Sequence, residues 1–136
     1  MPETATETEK QKKRLVVLIV EDDLDTAYSA AVILKHEGYA VYIATDGASA
    51  LSAASARQPD IILLDLGLPK VDGYHVAEAL RQKVELKRPL LVAITGHNEP
   101  EDRLKSEKVG IDLHLAKPPD WSQLLKLLKR FDGIVH

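Results

Sequence analysis

The sequence predicts an α/β domain built on a parallel five-stranded sheet, and three observations carry that prediction. Strongly apolar runs, LVVLIV at 15–20, IILL at 61–64 and LLVAI at 90–94, have the unbroken hydrophobicity of strands covered on both faces. These and two shorter strand-like segments alternate with stretches of helical period through five repeats, the pattern of parallel strands joined by right-handed crossovers. Polar residues, Glu21-Asp22, Asp65, Thr95 and Lys117, stand where four of the strands end. Open α/β sheets bind their ligands beyond those carboxyl ends.

Taken in order, residues 1–13 are polar, rich in Thr, Glu and Lys, and read as a disordered leader; the domain is expected over 14–136. After the strand Leu15–Val20, the apolar positions Leu24, Ala27, Tyr28, Ala31 and Leu34 follow the i, i+3, i+4, i+7 rule of a helix packed on one face. Gly38 supplies its C-terminal stop. Tyr39–Ala44 is rich in β-branched and aromatic residues and reads as a strand. Asp46-Gly47 is expected to turn the chain into an alanine-rich helix over Ala48–Ala56.

The strand Ile61–Leu64 runs into Asp65 and a loop punctuated by Gly67, Pro69 and Gly73. A helix over Gly73–Val84 turns Val76, Ala77 and Leu80 inward. Pro89 opens the strand Leu90–Ile94, which exits into Thr95-Gly96-His97. The helix after Glu99-Pro100 has almost no apolar residue but Leu104 before Val109, and reads as a mobile element or a partner surface. A short strand, Ile111–Ala116, delivers Lys117 and Pro118-Pro119. Asp120 is placed to cap a last helix with the stripe Trp121, Leu124, Leu125, Leu128 and Phe131, of which Trp121 and Phe131 are read as core.

Composition narrows the function. At 136 residues the chain is one domain, and 45% hydrophobic with 29% charged residues is a globular balance. A net charge of −3 points to neither nucleic acid nor an anionic membrane, and no apolar run is long enough to span a bilayer. The N-terminus has no apolar signal-peptide core, so the cytoplasm is the default. No cysteine is present, and five histidines scattered without ligand spacing do not favour zinc. Lys126, Lys129 and Arg130 read as solvated charges on the last helix, and His36 and His75 are assigned no role.

Parallel strands bring their carboxyl ends to one edge, so Glu21, Asp22, Asp65, Thr95 and Lys117 converge. Carboxylates ~4 Å apart at an effective dielectric near 20 repel by on the order of 4 kcal/mol per pair. One lysine does not offset that, and an all-oxygen ligand set favours a hard ion such as Mg2+. A hydroxyl and an ammonium beside a metal-bound carboxylate form a clamp for phosphoryl oxygens, and a carboxylate can itself accept a phosphoryl group. No Walker A loop or GxGxxG turn is present, so nucleotide cradling is not supported.

With VEDD at 20–23, DLGLPKVDG at 65–73, AITG at 93–96 and KPP at 117–119, the chain from about Arg14 onward resembles the receiver domains of two-component response regulators, of the single-domain type. The resemblance implies a three-layer, doubly wound, flavodoxin-like sheet in the order 2-1-3-4-5. It implies that Asp65 accepts a phosphoryl group from a sensor histidine kinase or a histidine phosphotransfer protein. Asp22, Glu21 through water, Asp65 and the backbone carbonyl of Gly67 would hold Mg2+, while Thr95 and Lys117 would bind phosphoryl oxygens. It further implies no enzyme activity beyond self-catalysed phosphotransfer and autodephosphorylation, output to a downstream protein, and a homodimer through the last two helices as one option.

Some positions depart from the commoner pattern. His114 stands three residues before Lys117, where the family often has an aromatic switch residue. Gly67 and Gly96 are both small, leaving the phosphoryl group open to water and to entry. His97 occupies a place that tunes hydrolysis in the family, or is a solvated loop histidine. A haloacid dehalogenase-like hydrolase would need DxDxT after the first strand, and a flavin carrier a Ser/Thr/Gly loop there; the sequence has EDD followed by Leu24. A hybrid-kinase receiver and a degenerate receiver acting as a constitutive binding module remain as alternatives.

Overall fold

The computed structural model describes residues 14–68, 73–83, 85–96 and 103–135. Five strands alternate with five helices among them: β1 Val16–Val20, α1 Leu24–His36, β2 Ala40–Ala44, α2 Gly47–Arg57, β3 Ile61–Asp65, α3 Gly73–Gln82, β4 Leu90–Gly96, α4 Arg103–Val109, β5 Leu113–Lys117 and α5 Trp121–Val135. The sheet is parallel throughout in the order β2-β1-β3-β4-β5. This is the three-layer, doubly wound fold expected.

Side-chain alternation along the strands divides the core in two. Leu18, Val20, Ile62, Leu64, Leu91 and Ala93 face α2, α3 and α4, meeting Ala50, Ala54, Val76, Ala77, Leu80 and Val109. Val17, Ile19, Ile61, Leu63 and Val92 face α1 and α5, meeting Ala27, Ala31, Leu34, Leu124 and Leu128. Every residue of β3 is buried, which is why its sequence has no polar position until Asp65 closes it. Trp121, Leu125 and Phe131 are half-buried against the α1/α5 core, and Gln123 N–H bonds to Asp120 Oδ1, so Asp120 caps α5 as expected.

Several sequence expectations are corrected. In α1 the buried stripe is Ala27, Ala30, Ala31 and Leu34; Leu24 and Tyr28 are 48% and 58% exposed, on the flank the alanines leave to solvent. Asp46-Gly47 is not a separate turn. Asp46 accepts from Ser49 N–H and Ser49 Oγ returns the bond, so a capping box starts α2 at Gly47. Strand β4 runs on through Thr95 and Gly96, because Thr95 and Gly96 pair with Ala116 and Lys117. That pairing also shifts β5 to Leu113–Lys117 from the expected Ile111–Ala116. Helix α3 closes at Gln82; Val84, like the leader and His97, lies outside the described residues.

Gly38 ends α1 with φ +93°: its N–H bonds to Lys35 O and that of Tyr39 to Leu34 O, the Schellman pattern that favours glycine. The other side of the molecule is clamped by Arg81 of α3. Its guanidinium donates to Gly110 O, Pro89 O and Asp112 Oδ2, tying α3 to the amino ends of β4 and β5. That leaves the carboxyl edge of the sheet free for the polar cluster.

Candidate functional site

Glu21, the residue after β1, is fixed by its own backbone: its N–H continues the ladder to Ala44 O at 3.0 Å. Its side chain turns back under the edge, 5% exposed, and accepts Asp23 N–H at 3.2 Å. Asp65, the last residue of β3, is 7% exposed and accepts Gly67 N–H on Oδ1 at 2.8 Å. Lys117 ends β5 two strands away. Its Nζ donates to Glu21 Oε1 at 2.8 Å and to Asp65 Oδ2 at 3.2 Å, bridging the two buried carboxylates. Asp22 is exposed beside them, and carboxylate oxygens of Glu21, Asp22 and Asp65 all lie within 4.8 Å of one another.

The electrostatics follow from this packing. Burial pushes the Glu21 carboxyl above its ordinary range, opposed by the hydrogen bond from Lys117 and reinforced by Asp65. Burial pulls the Lys117 ammonium down, but its hydrogen bonds to Glu21 and Asp65 and their charges outweigh this, so its net shift is upward. One ammonium against three carboxylates leaves an excess of negative charge at an all-oxygen site. Such a donor set fits a hard divalent cation and not a soft one. Gly67 sits in the turn straight after β3, beside Asp65.

Thr95 reaches the same edge by a different route. Asp65 pairs in register with Ile94, so Thr95 lies one residue further along β4 and alternates onto the α2/α3/α4 face. Its hydroxyl makes no hydrogen bond with the acid–lysine cluster among the described residues. The cluster thus gathers Glu21, Asp22, Asp65 and Lys117 directly, with Thr95 alongside.

A cavity of about 530 Å³ opens next to the cluster, between α1 and α5, floored by Ile19, Leu63 and Ile94 and walled by Thr26, Pro119 and Trp121. Sequence reasoning missed it, since a void between two helices has no one-dimensional signal. Trp121 therefore belongs to the core and to the cavity wall together. Ser106 was also missed. It is a buried polar residue of α4 that meets His114, and only the pairing of α4 with β5 brings the two together.

Comparison with known proteins agrees with this geometry. Residues 17–129 match the family model of the response regulator receiver domain. The chain is 34% identical over 122 residues to the DNA-binding dual master transcriptional regulator RpaA of Synechocystis sp., covering 87% of this chain and 51% of the relative. It is 36% identical over 102 residues to the alkaline phosphatase synthesis regulator PhoP of Bacillus subtilis, covering 75% and 42%. The chain thus spans about half the length of the curated relatives it matches.

Among solved structures it is similar to the chemotaxis protein CheY4 of Vibrio cholerae, with TM-score 0.79, 30% identity, and 87% and 98% of the two chains covered. It is also similar to the receiver domain of a Pseudomonas aeruginosa sensor histidine kinase, solved with magnesium coordinated in its active-site cleft. There the TM-score is 0.77 and the identity 30%, over 88% and 98% of the chains. An acidic pair after β1, a buried aspartate closing β3 and a lysine closing β5, on a 2-1-3-4-5 sheet matched over residues 17–129, make this chain a member of the response regulator receiver domain family.

Proposed function

We propose that the chain is a phosphorylatable switch of a two-component or phosphorelay system that accepts a phosphoryl group on Asp65 with Mg2+ as cofactor. The observation that carries this reading is the buried Asp65 carboxylate at the open sheet edge, bridged by Lys117 and flanked by Glu21 and Asp22. A carboxylate oxygen of Asp65 attacks the phosphorus of a phosphohistidine on a sensor histidine kinase or a histidine phosphotransfer protein. The O–P bond forms as the P–N bond breaks, and the imidazole leaves with that electron pair and takes up a proton. Water attack on the same phosphorus later returns the carboxylate and inorganic phosphate.

The residues divide the work. Lys117 has three N–H donors, two of them engaged on Glu21 and Asp65, so the third is available to a phosphoryl oxygen. The Thr95 hydroxyl takes another oxygen from the neighbouring strand. Glu21, Asp22, Asp65 and the Gly67 carbonyl would hold Mg2+, which when bound supplies the positive charge that both the acid cluster and the incoming phosphoryl group require. The magnesium in the similar Pseudomonas aeruginosa receiver supports this assignment. No activity beyond self-catalysed phosphotransfer and autodephosphorylation is proposed.

Output passes to a downstream protein by contact, in the cytoplasm, with self-association through α4 and α5 as one route. Among the described residues no helix is long and apolar enough to cross a membrane. The likeness to a sensor-kinase receiver favours, as a second reading, the receiver of a hybrid histidine kinase. Intact mass after incubation with acetyl phosphate tests the switch. The expected result is a Mg2+-dependent gain of one phosphoryl group that Asp65→Asn abolishes. A folded protein that gains nothing under any condition overturns it in favour of a constitutive binding module.

A further inference from the structure

Beside the acid–lysine cluster, the layer formed by α1 and α5 leaves part of the sheet uncovered. Ile19 of β1, Leu63 of β3 and Ile94 of β4 floor a cleft of about 530 Å³, lined by Ala30 on the α1 side and Trp121 on the α5 side. Side-chain size explains the gap. The first three buried positions of α1 are Ala27, Ala30 and Ala31, whose side chains are too short to fill the space over the strand ends. Helix α5 begins only at Trp121, after Pro118 and Pro119 have carried the chain past the edge.

A cleft of this volume is the size of a small-ligand site, and its apolar floor gains by being taken out of water. The rim sets the chemistry of the occupant. Glu21, Asp25 and Asp65 line it with one ammonium, that of Lys117, so three negative charges stand against one positive. Glu21 and Asp65 are already held by Lys117. Asp25, in the first turn of α1, belongs neither to that bridge nor to the three acids grouped closely enough to hold a metal. It is the carboxylate left to meet a ligand. The Ser29 hydroxyl, one helical turn on, adds a donor and an acceptor to the same lining, and Trp121 adds aromatic surface suited to a flat body or a cation.

We propose that this cleft is a binding site for a small amphipathic cation. An aromatic or branched aliphatic body covers Ile19, Leu63 and Ile94, and an ammonium group pairs with Asp25. Such binding does not require a phosphoryl group on Asp65, so it stands or falls apart from the switch function.

Trp121 is the only tryptophan of the chain, and its fluorescence reports directly on the cleft. Phenylpropylamine serves as the probe, with phenylpropionate and phenylpropanol as its anionic and neutral counterparts. Added to the full chain, the amine is expected to change the Trp121 signal saturably and to bind about tenfold more tightly than either counterpart. Asp25→Asn should weaken the amine about threefold to fivefold and leave the alcohol unchanged. Ala30→Leu, which enlarges a side chain lining the cleft, should abolish binding of all three. If Ala30→Leu fails to fold, the ranking of the three probes and Asp25→Asn, at an exposed position, decide. No saturable change with the amine, equal affinity for amine and carboxylate, or an amine affinity indifferent to Asp25→Asn overturns the proposal. Millimolar Mg2+ should leave the amine in place; full displacement puts the ammonium in the acid cluster instead of at Asp25 and also overturns it. A Trp121 signal that moves with protein concentration alone, alongside a dimer in light scattering, gives the cleft to a second copy of the chain and overturns it too.

Discussion

Lys117 sets one ammonium between two buried carboxylates, Glu21 at 2.8 Å and Asp65 at 3.2 Å, and is itself about one-third exposed. Removing one partner of a fully buried pair costs about 3–5 kcal/mol, and solvent access to Lys117 reduces that. Lys117→Met is therefore expected to destabilise the fold by about 2–3 kcal/mol in chemical denaturation, with millimolar Mg2+ recovering part of the loss. Tyr39 gives a pH signature away from the site. Burial, with the nearby charges of Asp132 and Glu37, raises its hydroxyl above the ordinary value near 10. The folded state thus holds the phenolic proton more tightly than the unfolded chain. Its contribution is complete below about pH 10 and is lost as pH rises through the higher folded value. Denaturation midpoints should fall in that alkaline window, and Tyr39→Phe should flatten the fall.

At the scale of elements, the first residue of α3 lies hard against the turn after β3. A Cβ on Gly73 would meet Leu66 Cα at 2.5 Å, a backbone atom that cannot move aside without shifting the turn after β3. Gly73→Ala is expected to cost about 2–4 kcal/mol and to slow phosphoryl uptake as well, because Leu66 follows Asp65 directly. Full stability with an unchanged uptake rate would show that the turn gives way freely. Helix α1 shows the opposite. Its outer positions Leu24, Tyr28 and Val32 recur every fourth residue and remain exposed, because small alanines alone let the helix lie close on β1 and β2. Periodicity found that helix and its buried Ala27, Ala31 and Leu34, but counted the exposed Leu24 and Tyr28 with them.

For the whole molecule, Mg2+ held at the acid cluster as proposed would couple metal binding to folding. Mg2+ at 100 times its dissociation constant should stabilise the native state by about 2.7 kcal/mol, since a dispersed set of carboxylates in the unfolded chain offers no comparable site. Asp22→Asn should raise the Tm in metal-free buffer, where it removes repulsion, and abolish the Mg2+ effect. A variant less stable than wild type without metal would refute the charge-repulsion account.

The sequence by itself determined the alternation of strands and helices and which polar residues stand at the strand ends, while the strand order was what the family resemblance implied. Short unbroken apolar runs alternating with helical stretches point to strands covered on both faces, and a parallel sheet sends every strand's last residue to one edge. Asp65, Glu21, Asp22 and Lys117 were therefore readable in one dimension, since a charge at the end of a buried strand stands out against it. The tertiary structure alone decided what those residues touch. Lys117 reaches Asp65 across two strand spacings and Glu21 across three, and Thr95 stands inside β4 on the opposite sheet face from Ile94. It also decided the pairing of Ser106 with His114 and the void between α1 and α5. Contacts of that kind depend on register and on helix placement, which arise from the packing of the whole core and not from the pattern along any single segment.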